Sequence, residues 1–242
     1  MCTVSFVPLG KSKFILTSNR DETVARGLAS APQILKRKNY SIACPVDPLA
    51  SGTWIAASSY GDVLCLLNGA FKRHQRKLPY RISRGQVVMD YFESGNPAQF
   101  SKGYDLDRVE PFTLVIVHDR RSPSLFELRW DGNNKHFREL PADAFHLWSS
   151  ATLYDEEVSG KKKKAFGTML NNQKKLTPEA LLAIHRNFLY EDWVFPPDRV
   201  EVVSTLSITS VRQERKQLEM YYRDLVRKEM SAEVIQIPLG KR

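Results

Sequence analysis

At 242 residues, with 42% hydrophobic and 26% charged residues, 12 glycines and 13 prolines, the chain has the composition of a folded globular protein and not that of a disordered, collagen-like or disulfide-scaffold one. Its net charge of +9 is spread over Lys36–Lys38, Lys72–Lys77, Lys161–Lys164, Lys174–Lys175 and the C-terminus. No aromatic residues are interleaved to make a stacking platform, so the basic residues read as a solvated surface and no nucleic-acid partner is expected.

In chain order the first elements are strands. Met1–Val7 and Phe14–Asn19 are apolar runs about the turn composition Pro8-Leu9-Gly10-Lys11-Ser12, and Thr53–Ser58 meets Asp62–Leu67 across Tyr60-Gly61. A helical period over Ser83–Ser94 follows, then strands at Phe112–His118, Leu125–Trp130 and His136–Arg138, the last two joined by Asp131-Gly132-Asn133-Asn134. Lys161–Lys164 reads as a low-complexity loop. A second helix is predicted over Thr177–Leu189, with Thr177 as N-cap, Pro178 at the first helical position and Glu179 in the first turn. Val200–Arg212 and Leu218–Leu225 are β-rich about Gln213–Lys216, and the segment after Asp224 reads as helical to Met230 and then extended. Antiparallel hairpins with a few amphipathic helices predict a layered α+β fold, with residues 1–242 as one domain.

Other features narrow the setting. The longest apolar runs, Val63–Leu67 and Leu114–Val117, fall far short of the roughly 18 residues of a membrane span, so none is expected. Lys11 and Lys13 interrupt the only stretch that could serve as a secretory leader. Cys2, Cys44 and Cys65 are an odd set without metal or redox spacing, which points to reduced thiols in the cytoplasm. His118, His146 and His185 have no ligand spacing and are assigned packing or surface roles, and neither a metal nor a cofactor is expected.

The chemistry starts at the second residue. Removal of the initiator methionine would leave Cys2 with a thiol and a free α-amine a few bonds apart. The amine titrates near about 7.8 and the thiol near about 8.5, so the amine can accept the thiol proton without a histidine. The bland alternative is an incidental cysteine. In a hairpin centred on Pro8–Ser12 the partner of residue 2 lies near 19 to 21, which sets Asn19-Arg20-Asp21-Glu22 beside Cys2. A charged quartet closing so apolar a strand needs partners if buried, and is a solvated strand end if not. Alternation lets Arg20 and Asp21 both face Cys2 only if the strand ends or bulges there. In the active reading Asp21 holds the α-amine or a substrate ammonium, while Arg20 lowers the thiol pKa or anchors an acidic group.

These residues carry a resemblance. Met1-Cys2-Thr3-Val4-Ser5-Phe6 followed by Leu16-Thr17-Ser18-Asn19-Arg20-Asp21-Glu22 resembles the signature of the NRDE, or transport and Golgi organisation, family. Ser51-Gly52-Thr53-Trp54, Leu66-Leu67-Asn68, Ser83-Arg84-Gly85 and His146-Leu147-Trp148-Ser149-Ser150 with Thr152-Leu153-Tyr154 continue it in order. The family in turn resembles N-terminal nucleophile (Ntn) hydrolases of the choloylglycine hydrolase and penicillin V acylase type. That likeness implies a four-layer αββα sandwich of two antiparallel sheets flanked by helices.

By the same resemblance Cys2 is the nucleophile, and Asp21 keeps the spacing those hydrolases use. Asn68, otherwise a plain turn residue before Gly69, is the oxyanion donor, a role worth about 3 to 4 kcal/mol. Arg20 joins the catalytic set on its position beside Cys2 alone, since it follows Asn19 where the arginine of the hydrolase motif precedes the asparagine. Asn19, Trp148, Ser150 and Arg212 are the candidate substrate-binding residues, with Trp148-Ser149-Ser150 standing where the hydrolases have a second asparagine and Arg212 where they have a C-terminal arginine. Phe71, Trp148, Tyr154 and Trp193 either line a pocket or pack in the core. The implied function is hydrolysis of an amide, thioester or ester by Cys2. The alternative is non-catalytic binding or trafficking of haem or acyl lipids, so the expected partner is a small-molecule amide, acyl lipid or haem-like ligand.

Overall fold

In the computed structural model, which describes residues 3–119, 122–189, 193, 203–214, 217–227 and 233–240, the chain opens with a hairpin of β1 (Thr3–Pro8) and β2 (Phe14–Thr23). Thr3 pairs with Asn19 and Pro8 with Phe14, the register expected from a turn at 8–12. Side chains alternate between faces along both strands, and this divides the hairpin between two cores. Val4, Phe6, Phe14 and Leu16 enter one core, whereas Val7 and Ile15 enter another on the opposite face.

The hairpin lies inside the first antiparallel sheet, ordered β10 (His146–Ser149), β1, β2, β11 (Val203–Glu214), β12 (Gln217–Asp224) and β13 (Glu233–Pro238). The second sheet is also antiparallel. It runs β3 (Gln33–Lys36), β4 (Ser41–Cys44), β5 (Ile55–Ser58), β6 (Val63–Asn68), β7 (Phe112–Asp119), β8 (Pro123–Trp130) and β9 (Lys135–Leu140). Between the sheets Val4, Phe6 and Leu16 pack with Ile55, Val63, Cys65, Leu67, Val115 and Val117, and each such side chain contributes roughly 1.5 to 3 kcal/mol.

The outer faces carry the helices. On the second sheet, α1 (Arg84–Ser94) and α2 (Pro97–Gly103) bury Val87, Val88, Tyr91 and Phe100 against Leu64, Leu66, Leu114 and Ile116. On the first, α3 (Glu156–Asn171) and α4 (Pro178–His185) bury Phe166, Leu170, Leu181 and Ile184 against Val7 and Ile15. The result is the expected order of helix, sheet, sheet and helix. Thr177 caps α4 by accepting from the Ala180 amide, with Pro178 in the first turn as its composition predicts.

Several expectations are corrected. Lys161–Lys164 is not a loop but the middle of α3. Lys162, Phe166 and Leu170 recur at four-residue spacing and form the helix's buried stripe, while the neighbouring lysines face solvent, so the charge run conceals the helical period. The helix starting at Pro178 is α-helical only to His185 and continues as a 3-10 turn over Arg186–Phe188. Residues 225–227 form a bend and not a helix, and residues 228–232 lie outside the described residues. Three short strands, β3, β4 and β10, and the helix α2 carry too little periodic pattern to be read in advance.

Candidate functional site

The far end of β2 holds Asn19, Arg20 and Asp21, all nearly or fully buried. Strand β11 shifts register opposite them: Asp21 pairs with Thr205 and Arg20 with Ser207, so Leu206 is the extra residue. The bulge is therefore in the partner strand. In β2 itself alternation persists, and consecutive residues serve different surroundings.

Arg20 is enclosed by charge. Its guanidinium donates to Asp47 Oδ2 at 2.9 Å and lies 5.0 Å from the centre of the Trp54 ring. Arg26 donates to the same Asp47 oxygen at 2.9 Å, and the Leu49 and Ala50 amides donate to its other oxygen at 3.1 Å. Burial alone would raise the Asp47 pKa. The hydrogen bonds from Arg26, Arg20 and the Ala50 amide outweigh it and hold the carboxyl below the usual range.

Asp21 and Asn19 belong to the face covered by α3 and α4. The Thr205 hydroxyl donates to Asp21 Oδ1 at 2.6 Å and the Tyr154 hydroxyl to Oδ2 at 3.2 Å. The Asn19 side-chain amide donates to the carbonyls of His185 (3.2 Å) and Phe188 (2.8 Å). Its oxygen must therefore accept from His185 Nδ1 at 2.7 Å, which leaves Nε2 to accept from the Ser5 hydroxyl at 2.7 Å. Burial first, and the charge of Lys162 second, push the His185 imidazole down to about 3, so it is neutral in this role.

Lys162 is the residue that sequence reasoning missed. It is fully buried, and its Nζ donates to Thr3 Oγ1 at 2.6 Å while sitting 3.6 Å from the centre of the Tyr154 ring. A lysine at the first position of the apolar stripe Lys162, Phe166 and Leu170 was the available signal, hidden by its lysine neighbours.

Two cavities flank the end of β6. The smaller, about 480 Å³, is lined by Arg20, Asp47, Trp54, Asn68, Arg84 and Glu110 among others. The larger, about 750 Å³, is lined by Leu67, Phe71, Arg129, Trp148, Leu153 and Tyr154 among others. The wall between them is tied by Ser150, whose hydroxyl donates to the Asn68 carbonyl at 2.8 Å. The turn after Asn68 needs a glycine: Gly69 has φ 81°, and a Cβ there would meet Thr152 Cγ2 at 3.0 Å. At the smaller cavity a Cβ on Gly52 would stand 2.8 Å from the Gly85 backbone, so the two motif glycines let the start of α1 touch the loop before Trp54.

The structure thus brings Arg20 and Asn68 to one cavity, Trp148 to the other, and Ser150 to the wall between them. Trp148 is oriented by donation from its indole to Glu127 at 2.7 Å. Asp21 reaches the larger cavity through Tyr154. Asn19 lines neither cavity, because its amide is taken up in tying β2 to the end of α4. Arg212 is not brought to the group: it pairs with Ile15 at the opposite end of β2 and bonds Glu214. Cys2 lies outside the described residues. Trp193 packs against Phe188 with ring centres 5.4 Å apart and lies partly buried against the core of the α3/α4 face.

Cys44 and Cys65 are free and buried, and burial pushes their thiols up to about 11 and about 12. Neither supplies a thiolate near neutrality. Among the described residues no group of three or more His, Cys, Asp or Glu is placed to hold a metal ion, and no helix is long and apolar enough to cross a membrane.

The family described as Transport and Golgi organisation 2 matches residues 1–237. No curated protein matches the sequence. Among solved structures, the chain is similar to the C2A mutant of conjugated bile acid hydrolase from Clostridium perfringens. The TM-score is 0.61 at 9% identity, covering 100% of this chain and 93% of that one. An arginine-to-leucine variant of the same hydrolase aligns with a TM-score of 0.60 at 9% identity, covering 99% and 98%. At that identity the likeness is one of fold.

Proposed function

The chain belongs to the Transport and Golgi organisation 2 family, and from that membership we propose that it is an Ntn-type hydrolase acting through Cys2 on an amide, thioester or ester of a small molecule. The observation that carries the reading is the smaller cavity, which Arg20 and Asn68 both line although they come from different sheets. The protonated state of Cys44 and Cys65 leaves Cys2 as the thiol available for attack.

In this reading the α-amine of Cys2 takes the thiol proton and the sulfur adds to the substrate carbonyl. The Asn68 side-chain amide donates to the oxygen that becomes negative. The C–N bond then breaks as the ammonium returns its proton to the leaving nitrogen, and water hydrolyses the thioester. Asp21 holds the amine, Arg20 anchors an acidic group on the substrate, and Trp148 and Ser150 shape the acyl side. The conjugated bile acid hydrolase of similar fold is the analogy for a small amide substrate. The chain works as one domain, and its free thiols favour the reducing cytoplasm.

A second reading, binding or trafficking of an amphipathic ligand such as haem or an acyl lipid without turnover, is favoured by the larger cavity. Leu67, Leu147, Trp148 and Leu153 offer it apolar surface beside Lys72, Arg73 and Arg129.

Mass spectrometry of the purified protein separates the two. Hydrolysis requires a chain that begins at Cys2 and gains the mass of an amide-like acylating probe there, with the adduct lost in Cys2→Ala and Asp21→Asn. Retention of Met1, or saturable binding of haemin or acyl-CoA with no adduct, would leave the second reading.

A further inference from the structure

We infer that residues 71–81, with the neighbouring turns that carry Val24 and Leu49, form a docking surface for the anionic face of a lipid bilayer, and that the smaller cavity opens onto that membrane. The inference concerns where the molecule works, and it stands or falls independently of any reaction at Cys2.

Residues 71–81 carry five lysines and arginines and no acid. They form neither helix nor strand between β6 and α1, and most of them are exposed. The segment borders the larger cavity through Phe71, Lys72 and Arg73, and the smaller one through Arg76, Leu78 and Tyr80. It is fastened to the fold at a few points. His74 and Arg76 approach Glu110 at 3.3 and 3.4 Å, and Arg81 donates to the carbonyls of Asp105 and Asp107 at 2.7 and 3.2 Å. Among the described residues Lys72, Arg73 and Lys77 form no ion pair, so their charge is left for a partner outside the chain.

Charge alone would suit a nucleic acid or an acidic protein equally well. The apolar side chains decide for a bilayer. Leu78 belongs to the wall of the smaller cavity yet is 70% exposed, which places it at the rim. Leu49, 71% exposed, stands between Asp47 and Ala50, both of which line the same cavity, and Val24, 54% exposed, stands between its lining residues Glu22 and Arg26. Three separate segments thus each hold an apolar side chain in water beside one cavity, where insertion among acyl chains would remove it from water. The carboxylates of the cavity do not repel an anionic surface, because Asp47 is paired with Arg20 and Arg26, Glu110 with Arg76 and Arg84, and Glu22 with Arg26. The exposed Asp105 and Asp107 are likewise paired, with Arg81 and Arg108. Cations around a few apolar side chains are the means by which a protein lies on an anionic leaflet without spanning it.

The test is co-sedimentation of the full chain with phosphatidylcholine vesicles, with and without phosphatidylserine, at low and high salt. The protein should sediment with the phosphatidylserine vesicles, remain in solution with phosphatidylcholine alone, and bind less as salt screens the cations. One cation near an anionic leaflet is worth about fivefold in affinity, so Lys72→Gln, Arg73→Gln and Lys77→Gln together should weaken binding about a hundredfold. Leu49→Ser with Leu78→Ser alters no charge and touches only exposed positions, and should weaken binding about tenfold or more. Soluble glycerophosphoserine should not compete. Absence of binding to phosphatidylserine vesicles overturns the inference, as does binding that the triple variant retains in full. Binding lost in the triple variant but unchanged in the leucine variant also overturns it, since a purely electrostatic patch then remains, and single-stranded RNA held through the same cations would name its partner. Competition by glycerophosphoserine overturns the bilayer as the source of the headgroup.

Discussion

Arg20 and Asp21 are adjacent in sequence, yet each is held by a different part of the molecule. Arg20 faces a cavity, paired with Asp47 and laid against Trp54. Asp21, with Asn19, faces the helical layer, where Tyr154 and Thr205 donate to Asp21, His185 donates to Asn19, and Lys162 lies over the Tyr154 ring. A charged run at a strand end is therefore two sites, one for each face. The cavity side relies on an ion pair and the helical side on a hydrogen-bonded network, and the two respond differently to mutation and to acid.

The largest loss is expected on the cavity side. Asp47→Ala leaves the Arg20 guanidinium, whose side chain is 3% exposed, without its carboxylate. Breaking a buried pair in this way should cost about 3 to 5 kcal/mol, read as a lower urea midpoint. A cost below about 1 kcal/mol would mean that water replaces the carboxylate, and the contrast between the two faces would dissolve. On the helical side, Asn19→Ala removes two donors and one acceptor at once and strands the His185 Nδ1 proton. About 2 to 3 kcal/mol of stability should go, measured in the same way.

Acid separates the faces further. The His185 pKa falls from 6.5 in the unfolded chain to about 3 in the fold, so the unfolded state alone takes up a proton between those values. Its contribution is complete above pH 6.5 and declines as pH falls, at up to about 1.4 kcal/mol per unit. Asp47, whose folded pKa lies below its ordinary 3.8, contributes fully above that value and is lost only as pH drops beneath it. Urea midpoints taken from pH 7 to pH 4 should therefore fall in the wild type, and His185→Gln should flatten the slope while Asp47→Asn leaves it in place. The smallest effect belongs to Thr205→Val, which keeps shape but removes the 2.6 Å donor to Asp21 and should cost about 1 kcal/mol.

Much of this architecture can be read from local pattern. The register that sets Thr3 beside Asn19 follows from the length of the Pro8–Ser12 turn, and the cap and first turn of α4 follow from Thr177, Pro178 and Glu179. What is illegible has a physical reason in each case. Helix α3 is masked because three of its four consecutive lysines are solvated while the fourth replaces an apolar residue on the buried face. Strand β3 is exposed along most of its length at a sheet edge, where little hydrophobic pattern is required. Arg212 is misjudged because proximity depends on pairing register, and β11 runs antiparallel to β2, carrying residue 212 away from Asp21.

The sequence by itself determined the layers and the opening hairpin, since strand alternation, turn chemistry and caps act over a few residues. Only the tertiary structure decided which charges meet. Asp47 with Arg20, Lys162 with Thr3, and His185 with Asn19 are pairs distant in the chain, and a buried polar group chooses its partner by where packed layers leave it when water is excluded.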